Sequence, residues 1–274
     1  MIVESAYAKL NLCLQVGEKL PNGYHNVISL MQTVSLCDTV TLEKAKEIRL
    51  CCIGQELSDG EDNLAHKAAR AFFAHSGIKG GAAIRLEKRI PQGAGLGGGS
   101  ADAAAVLRGL NRLYGTGYGT DTLCAIAAPL GADVPFCVLG GTAVATGTGT
   151  KLTAVKHNVL NLVLCFGKES LSTPVMYKTL DSEGNTYTVA DKFISLWKAG
   201  KAEEAFAYGG NSFYPIAARL DCTVDKNITA LKEAGALFCG ISGKGPTVFG
   251  VFKTAADALA AAEAAGGIAI HSVS

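Results

Sequence analysis

The first thing this chain lacks is an excess of either charge. Its 25 Lys and Arg balance 24 Asp and Glu, for a formal net charge of +1. No electrostatic field therefore favours nucleic acid or an anionic membrane as partner. Charged residues make up only 18% of the chain and hydrophobic ones 49%, which excludes disorder and leaves ample apolar side chain for a core. No apolar run reaches the roughly 18 residues of a membrane-spanning helix. The opening MIVESAYAKLNLCLQV has no basic n-region and no small-residue cleavage site, so a cytoplasmic protein without a secretory signal is expected. The nine cysteines include no C-x-x-C pair, and the five histidines are scattered without ligand spacing. Reduced, mostly buried thiols and no protein-built metal site are expected.

Glycine is abundant, with 33 residues, and it is concentrated. The segment PQGAGLGGGSADAAAVLRGLN, Pro91 to Asn111, brings Gly93, Gly95, Gly97, Gly98 and Gly99 into seven residues and opens an alanine-rich helical run at Ser100. Glycine lets backbone N–H groups crowd a ligand and permits dihedrals that side chains forbid. A helix N-terminus after such a loop adds unpaired donors and the positive end of a dipole, a setting for phosphate. Gly93, Gly95 and Gly98 also satisfy G-x-G-x-x-G. However, the window after the helix, LYGTGYGTD, is turn-like and gives no strand ending in an acidic residue, so a dinucleotide site is not supported. The G-x-x-x-x-G-K-[ST] pattern is absent, as are H-R-D and D-F-G, which excludes the P-loop and protein-kinase motifs.

Periodicity supplies the elements. Ala8, Leu10, Leu12, Leu14 and Val16 alternate with Tyr7, Lys9, Asn11, Cys13 and Gln15, the two faces of one strand. After the turn LPNGYH, VISLMQTVSL and DTVTLEKA read as two further strands. A polar break, SDGED, precedes a helix over 63–76; a strand over 82–90 feeds the glycine loop, and helices follow over 100–114 and 120–130. VPFCVLGGTAVATGTGTKLTAV reads as strand material. Beyond about residue 157 come NLVLCFG, a helix from Thr173-Pro174, short helices over 191–198 and 202–207, ITALKEAGA, LFCGISGKGPTVFGVF, TAADALAAAEAAG and IAIHSV. That β-α-β-β-α-β order suits a ferredoxin-like half. The fold class expected is α+β, with domains 1–155 and 156–274.

The pattern P-x-G-x-G-L-G-G-G-S-x-D-A-A, with AKLNLCLQV, NGYHNV, EDNLAHKAAR, LGADVPFCVLGGTAVATG, STPVMYK and GISGKGPTVFG, resembles the GHMP small-molecule kinases. The GLGGGS loop, the GYH turn and GADVPF resemble the branch whose acceptor is an alcohol linked to cytidine diphosphate. Relatives acting on homoserine, mevalonate or galactose carry a serine-rich loop instead. The resemblance implies an N-terminal half like domain 2 of ribosomal protein S5 and a ferredoxin-like C-terminal half. It also implies ATP as donor with Mg²⁺ carried by the nucleotide, a small-molecule acceptor phosphorylated on its 2-hydroxyl in isoprenoid-precursor synthesis, and a monomer or homodimer.

By the same resemblance, ATP lies on Pro91, Gln92, Gly93, Ala94, Gly95, Leu96, Gly97, Gly98, Gly99, Ser100 and Ala101, with Asn63 and Asp102 nearby. Lys9 and Asp133 become the catalytic pair; Asn11, Tyr24, His25, Thr173 and Tyr177 become substrate contacts, with His25 hydrogen-bonding the base and Tyr177 stacking on cytosine. Read from the residues alone, other roles stay open. Lys9 and Asn11 fit the polar side of a half-exposed strand, Asp133 a helix cap, Tyr24 and His25 a turn, Tyr177 helix packing, and Ser100 a cap. Three positions depart from the family pattern: Lys244 stands where the late glycine loop carries a small residue, Asn22 where Asp precedes the tyrosine, and Asn211-Ser212-Phe213 is altered. A kinase for another small alcohol, and a nucleotide-binding protein without turnover, remain the competing readings.

Overall fold

A computed structural model describes residues 1–54 and 60–274, so part of the expected polar break at 58–62 lies outside the described residues. Two long strands, β1 (Ile2–Lys19) and β2 (His25–Ala45), pair with each other. The two strands expected in VISLMQTVSL and DTVTLEKA are one continuous β2, because no glycine or proline interrupts the stretch between them. Both faces of β1 are buried from Ala8 to Leu14. The expectation of a half-exposed strand is therefore overturned: Lys9 and Asn11 are only 3% and 5% exposed.

Contacts divide the chain into two compact units. The first holds Met1–Lys9, Leu36–Gln92 and Gly97–Gly140; the second holds Leu10–Ser35, Gly93–Leu96 and Gly141–Ser274. The strands β1 and β2 each give residues to both.

In the first unit, β3 (Arg49–Ile53) lies parallel to β4 (Gly81–Glu87), with Arg49 opposite Ala83, and β4 is antiparallel to β2, with Glu87 opposite Thr39. The helices are α1 (Leu64–Ser76), α2 (Gly98–Tyr114), α3 (Thr120–Ala127) and α4 (Val134–Leu139). Small residues let α2 pack closely: Ala101, Ala103, Ala104 and Ala105 are buried, and a side chain at Gly109 would strike Leu42. Two expectations change here. VPFCVL is the helix α4 rather than a strand, since Pro135 in its first turn presets a helical φ. The α2 helix begins at Gly98, so Gly97 and not Ser100 is its cap. The helix expected over 120–130 stops at Ala127.

In the second unit, β5 (Thr142–Thr146) pairs antiparallel with β2, Ala145 opposite Ser29, and forms a hairpin with β6 (Lys151–Ala154). A separate antiparallel sheet contains β7 (Asn161–Cys165), β8 (Phe238–Ile241), β9 (Val248–Phe252) and β10 (Ile268–His271) in the order β10-β7-β9-β8. That order is the ferredoxin-like arrangement. Between β7 and β8 run α5 (Thr173–Glu183), α6 (Ala190–Lys198), α7 (Ala202–Phe206), α8 (Tyr214–Leu220) and α9 (Thr223–Glu233), and α10 (Ala255–Ala265) joins β9 to β10. The core of this unit joins Val163, Leu231, Val248, Ala258 and Ala261. The α8 helix and the β3 strand were not expected from the sequence.

All nine cysteines are free, but only Cys13 and Cys165 are buried. Mostly buried thiols were expected. Cys51 instead faces out from β3, a strand at the end of its sheet, and Cys222 caps α9 at the surface. No helix among the described residues is long and apolar enough to cross a membrane.

Candidate active site

Lys9 and Asp133 meet in the first unit. Lys9 comes from buried β1 and Asp133 from the residue before α4, and Lys9 Nζ lies 3.3 Å from Asp133 Oδ2. The lysine side chain is 4% exposed and the aspartate side chain 38%. One member of the pair is thus held by the fold while the other has an open side. Asp133 makes no side-chain capping bond to α4, so its carboxylate is not committed to the helix. The aliphatic stem of Lys9 lies against Gly97, where an added Cβ would come within 3.0 Å of Lys9 Cγ.

Gly97 caps α2 in a left-handed conformation, φ +69°, without a side-chain bond to the helix. The Ala101 N–H returns to the Gly97 carbonyl at 2.8 Å. The Gly98, Gly99 and Ser100 N–H groups precede this first intrahelical bond, the position that suits an anion at a helix start. The rest of the loop is anchored by apolar residues, since Ala94 and Leu96 are buried. Pro91 is half-buried and Gln92 exposed. Asn63 lies at the start of α1, where its Oδ1 accepts the Ala65 N–H at 2.9 Å.

Beneath this helix start sits a buried charge cluster. Lys88 donates to Asp38 and, at 2.6 Å, to Asp102 Oδ2. Asp38 also accepts the backbone N–H groups of Arg89 and, at 2.8 Å, Ile90, which lead into the glycine loop. Lys88 Nζ would stand 3.5 Å from a Cβ at Gly98. Asp102, expected near the nucleotide, is therefore turned inward beneath the loop, and its Oδ1 has no hydrogen-bond partner. Burial pushes its carboxyl up to about 7, against the opposing pull of Lys88.

Within the second unit the late glycine loop is stitched to Gly95 of the Gly93–Leu96 segment. Ser242 Oγ donates to the Gly95 carbonyl at 2.9 Å, and a Cβ at Gly95, φ +79°, would collide with the Ser242 carbonyl. Asn11 Oδ1 accepts the Gly243 N–H at 3.0 Å, while its Nδ2 donates to Ser29 Oγ at 2.8 Å. Asn11 thus holds a loop, whatever else it touches. Asn211, in the altered segment, donates to the carbonyls of Ile241 at 3.0 Å and Gly243 at 2.8 Å.

The same unit gathers the residues expected around a base. His25 is buried, its Nε2 lies 2.6 Å from Asp181 Oδ1, and Lys19 Nζ lies 2.9 Å from Asp181 Oδ2. Hydrogen bonds from Lys19 and His25 hold the Asp181 carboxyl below the usual range. Tyr177 stacks on His25 with centroids 4.9 Å apart and meets Phe213 edge-on at 4.9 Å. Tyr24 is 65% exposed, with its N–H bonded to Asn22 Oδ1 at 3.1 Å, and Thr173 is exposed at the start of α5. Asp181 had no sequence signal beyond its place on the face of α5 one turn from Tyr177.

The GHMP kinases N terminal domain matches residues 63–141 and the GHMP kinases C terminal domain matches residues 217–268. The 4-diphosphocytidyl-2-C-methyl-D-erythritol kinase of Pelotomaculum thermopropionicum is 40% identical over 92% of this chain and 89% of its own. That of Caldanaerobacter subterraneus is 38% identical over 90% and 87%. A crystal structure of 4-(cytidine 5'-diphospho)-2C-methyl-D-erythritol kinase superposes with a TM-score of 0.84 at 32% identity, covering 100% of both chains. A homoserine kinase from Cytophaga hutchinsonii, at 19% identity and a TM-score of 0.79, shares the fold. The chain belongs to the GHMP kinases and, within them, to the 4-diphosphocytidyl-2-C-methyl-D-erythritol kinase family.

Proposed function

We propose that this chain transfers the γ-phosphoryl group of ATP to the 2-hydroxyl of 4-diphosphocytidyl-2-C-methyl-D-erythritol, a step of the non-mevalonate route to isoprenoid precursors. The observation that carries the reading is the Lys9–Asp133 pair at 3.3 Å, with Lys9 packed against the glycine that opens α2. Phosphoryl transfer passes through a loose transition state, so positioning and charge stabilisation do most of the work. Asp133, on the open side of the pair, orients the acceptor hydroxyl and takes its proton. The Lys9 ammonium stabilises the oxygen as negative charge develops.

The donor reading rests on a loop whose backbone conformation requires glycine. Gly93, Gly95 and Gly97 all have positive φ, and a Cβ at each would strike a neighbour. The open amides of Gly98, Gly99 and Ser100 add donors for phosphate oxygens. Magnesium bound with the nucleotide would supply charge neutralisation there. For the acceptor, Asp181 Oδ1 engages His25 Nε2 at 2.6 Å, and a tautomer that donates there presents Nδ1 as an acceptor. An acceptor nitrogen suits the exocyclic amino group of cytosine, and Tyr177 offers a ring face. The cytidine nucleotide is then read by Tyr24, His25, Thr173 and Tyr177.

Steady-state ADP formation with a panel of alcohols tests this. Turnover with the cytidyl acceptor, competed by CDP, is the expected result. Turnover with homoserine, mevalonate or galactose in its place would overturn the acceptor assignment, and ADP binding without turnover on any alcohol would overturn the catalytic one.

A further inference from the structure

The late glycine loop is more firmly held than its composition suggests. Asn211 binds the carbonyls of Ile241 and Gly243, Asn11 takes the Gly243 N–H, and Ser242 Oγ reaches the Gly95 carbonyl at 2.9 Å. The Gly245 N–H closes the turn on the Ser242 carbonyl at 2.9 Å. Lys244 sits at the tip, between Gly243 at φ +56° and Gly245 at φ +79°. Its backbone is therefore fixed beside the phosphate loop.

Its charge is unanswered. Lys244 is partly buried, burial pulls its ammonium below the ordinary lysine range, and no carboxylate among the described residues pairs with it. The two fully buried lysines behave differently: Lys9 has Asp133, and Lys88 has Asp38 and Asp102. Removing a cation from water without a counterion is costly. A rigid loop that does so next to a glycine cradle for phosphate is built for an anion that arrives with a ligand.

We propose that Lys244 is a ligand of the ATP polyphosphate, binding a β-phosphate oxygen held over the Gly93–Leu96 segment. This deepens the kinase reading and rests on it. The replacement of a small residue by lysine then adds a phosphate contact and does not block the site. The tie to Gly95 selects the donor's phosphates over the diphosphate of the cytidyl acceptor.

Calorimetric titration of ADP, AMP and CDP into the wild type, Lys244→Ser and Lys244→Arg tests it. Serine restores a small residue to the loop and leaves its backbone bonds intact, so the variant folds with a wild-type melting temperature. Losing a charge-assisted hydrogen bond weakens ADP binding by roughly tenfold to a hundredfold. AMP and CDP affinities stay within about twofold, and arginine recovers most of the loss. An unchanged ADP affinity in Lys244→Ser overturns the inference, as does a loss confined to CDP. Absence of ADP binding in the wild type overturns the kinase reading itself, so the two failures are distinct.

Discussion

Gly97 and Lys9 are in direct register: a Cβ on the glycine would lie 3.0 Å from Lys9 Cγ and 3.2 Å from Lys9 Cε. The cap of α2 and the stem of Lys9 therefore position each other. Gly97→Ala should cost about 1–2 kcal/mol for a left-handed alanine and also displace the ammonium. Gly115 caps the other end of α2 at φ +65°, with nothing within 4 Å of its added Cβ. Gly115→Ala is the matched control. Denaturant melts should show similar losses for both, while kcat falls only for Gly97→Ala.

Asp133→Asn and Lys9→Met should separate chemistry from binding. Methionine keeps most of the stem that packs on Gly97. Each variant should lower kcat by about 10²- to 10⁴-fold, the usual reach of a positioned acid or base, with ADP affinity within about twofold of wild type. Weak ADP binding with normal kcat at saturation would place the residue in the wrong role.

The cluster beneath the loop predicts a pH signature. The Asp102 carboxyl is raised to about 7 by burial, so between its unfolded value near 4 and about 7 the folded state holds a proton that the unfolded state has lost. Stability contributed at this site should fall as pH rises through that window. Asp102→Asn should flatten the slope in urea melts between pH 4 and 7. Lys88→Met leaves two buried carboxylates without their cation and should cost about 3–5 kcal/mol near pH 7.

Asp181 should act through His25. Asp181→Ala removes the group that fixes the ring at 2.6 Å, and CDP affinity should fall by roughly tenfold, the scale of one hydrogen bond to a charged group. ADP affinity should not change. Equal loss of both nucleotides in the titration would mean a general folding defect.

What was legible in the sequence followed local rules. Asn63 before an apolar period marked the start of α1, proline after Thr173 marked α5, and the glycine loop with its alanine helix stood out by composition. Elements decided by context were misread. VPFCVL is six apolar residues, too short for its period to distinguish helix from strand, and only Pro135 hinted at α4. The site divides the same way. Lys9 and Asp133, which the structure brings to 3.3 Å, were singled out through family motifs. The Lys88–Asp38 and His25–Asp181 contacts join residues 50 and 156 positions apart, and no periodic signal spans such distances. The one clue was a carboxylate, Asp102, on the alanine stripe of α2, where a buried charge requires a partner.

The central claim is that phosphate moves from ATP to a hydroxyl of the cytidyl alcohol, and ³¹P NMR of a reaction with ATP, Mg²⁺ and that acceptor tests it most directly. Transfer to the acceptor gives loss of the ATP γ resonance matched one-for-one by a new phosphomonoester resonance, with the diphosphate resonances of the acceptor retained. Inorganic phosphate in place of the monoester would contradict it.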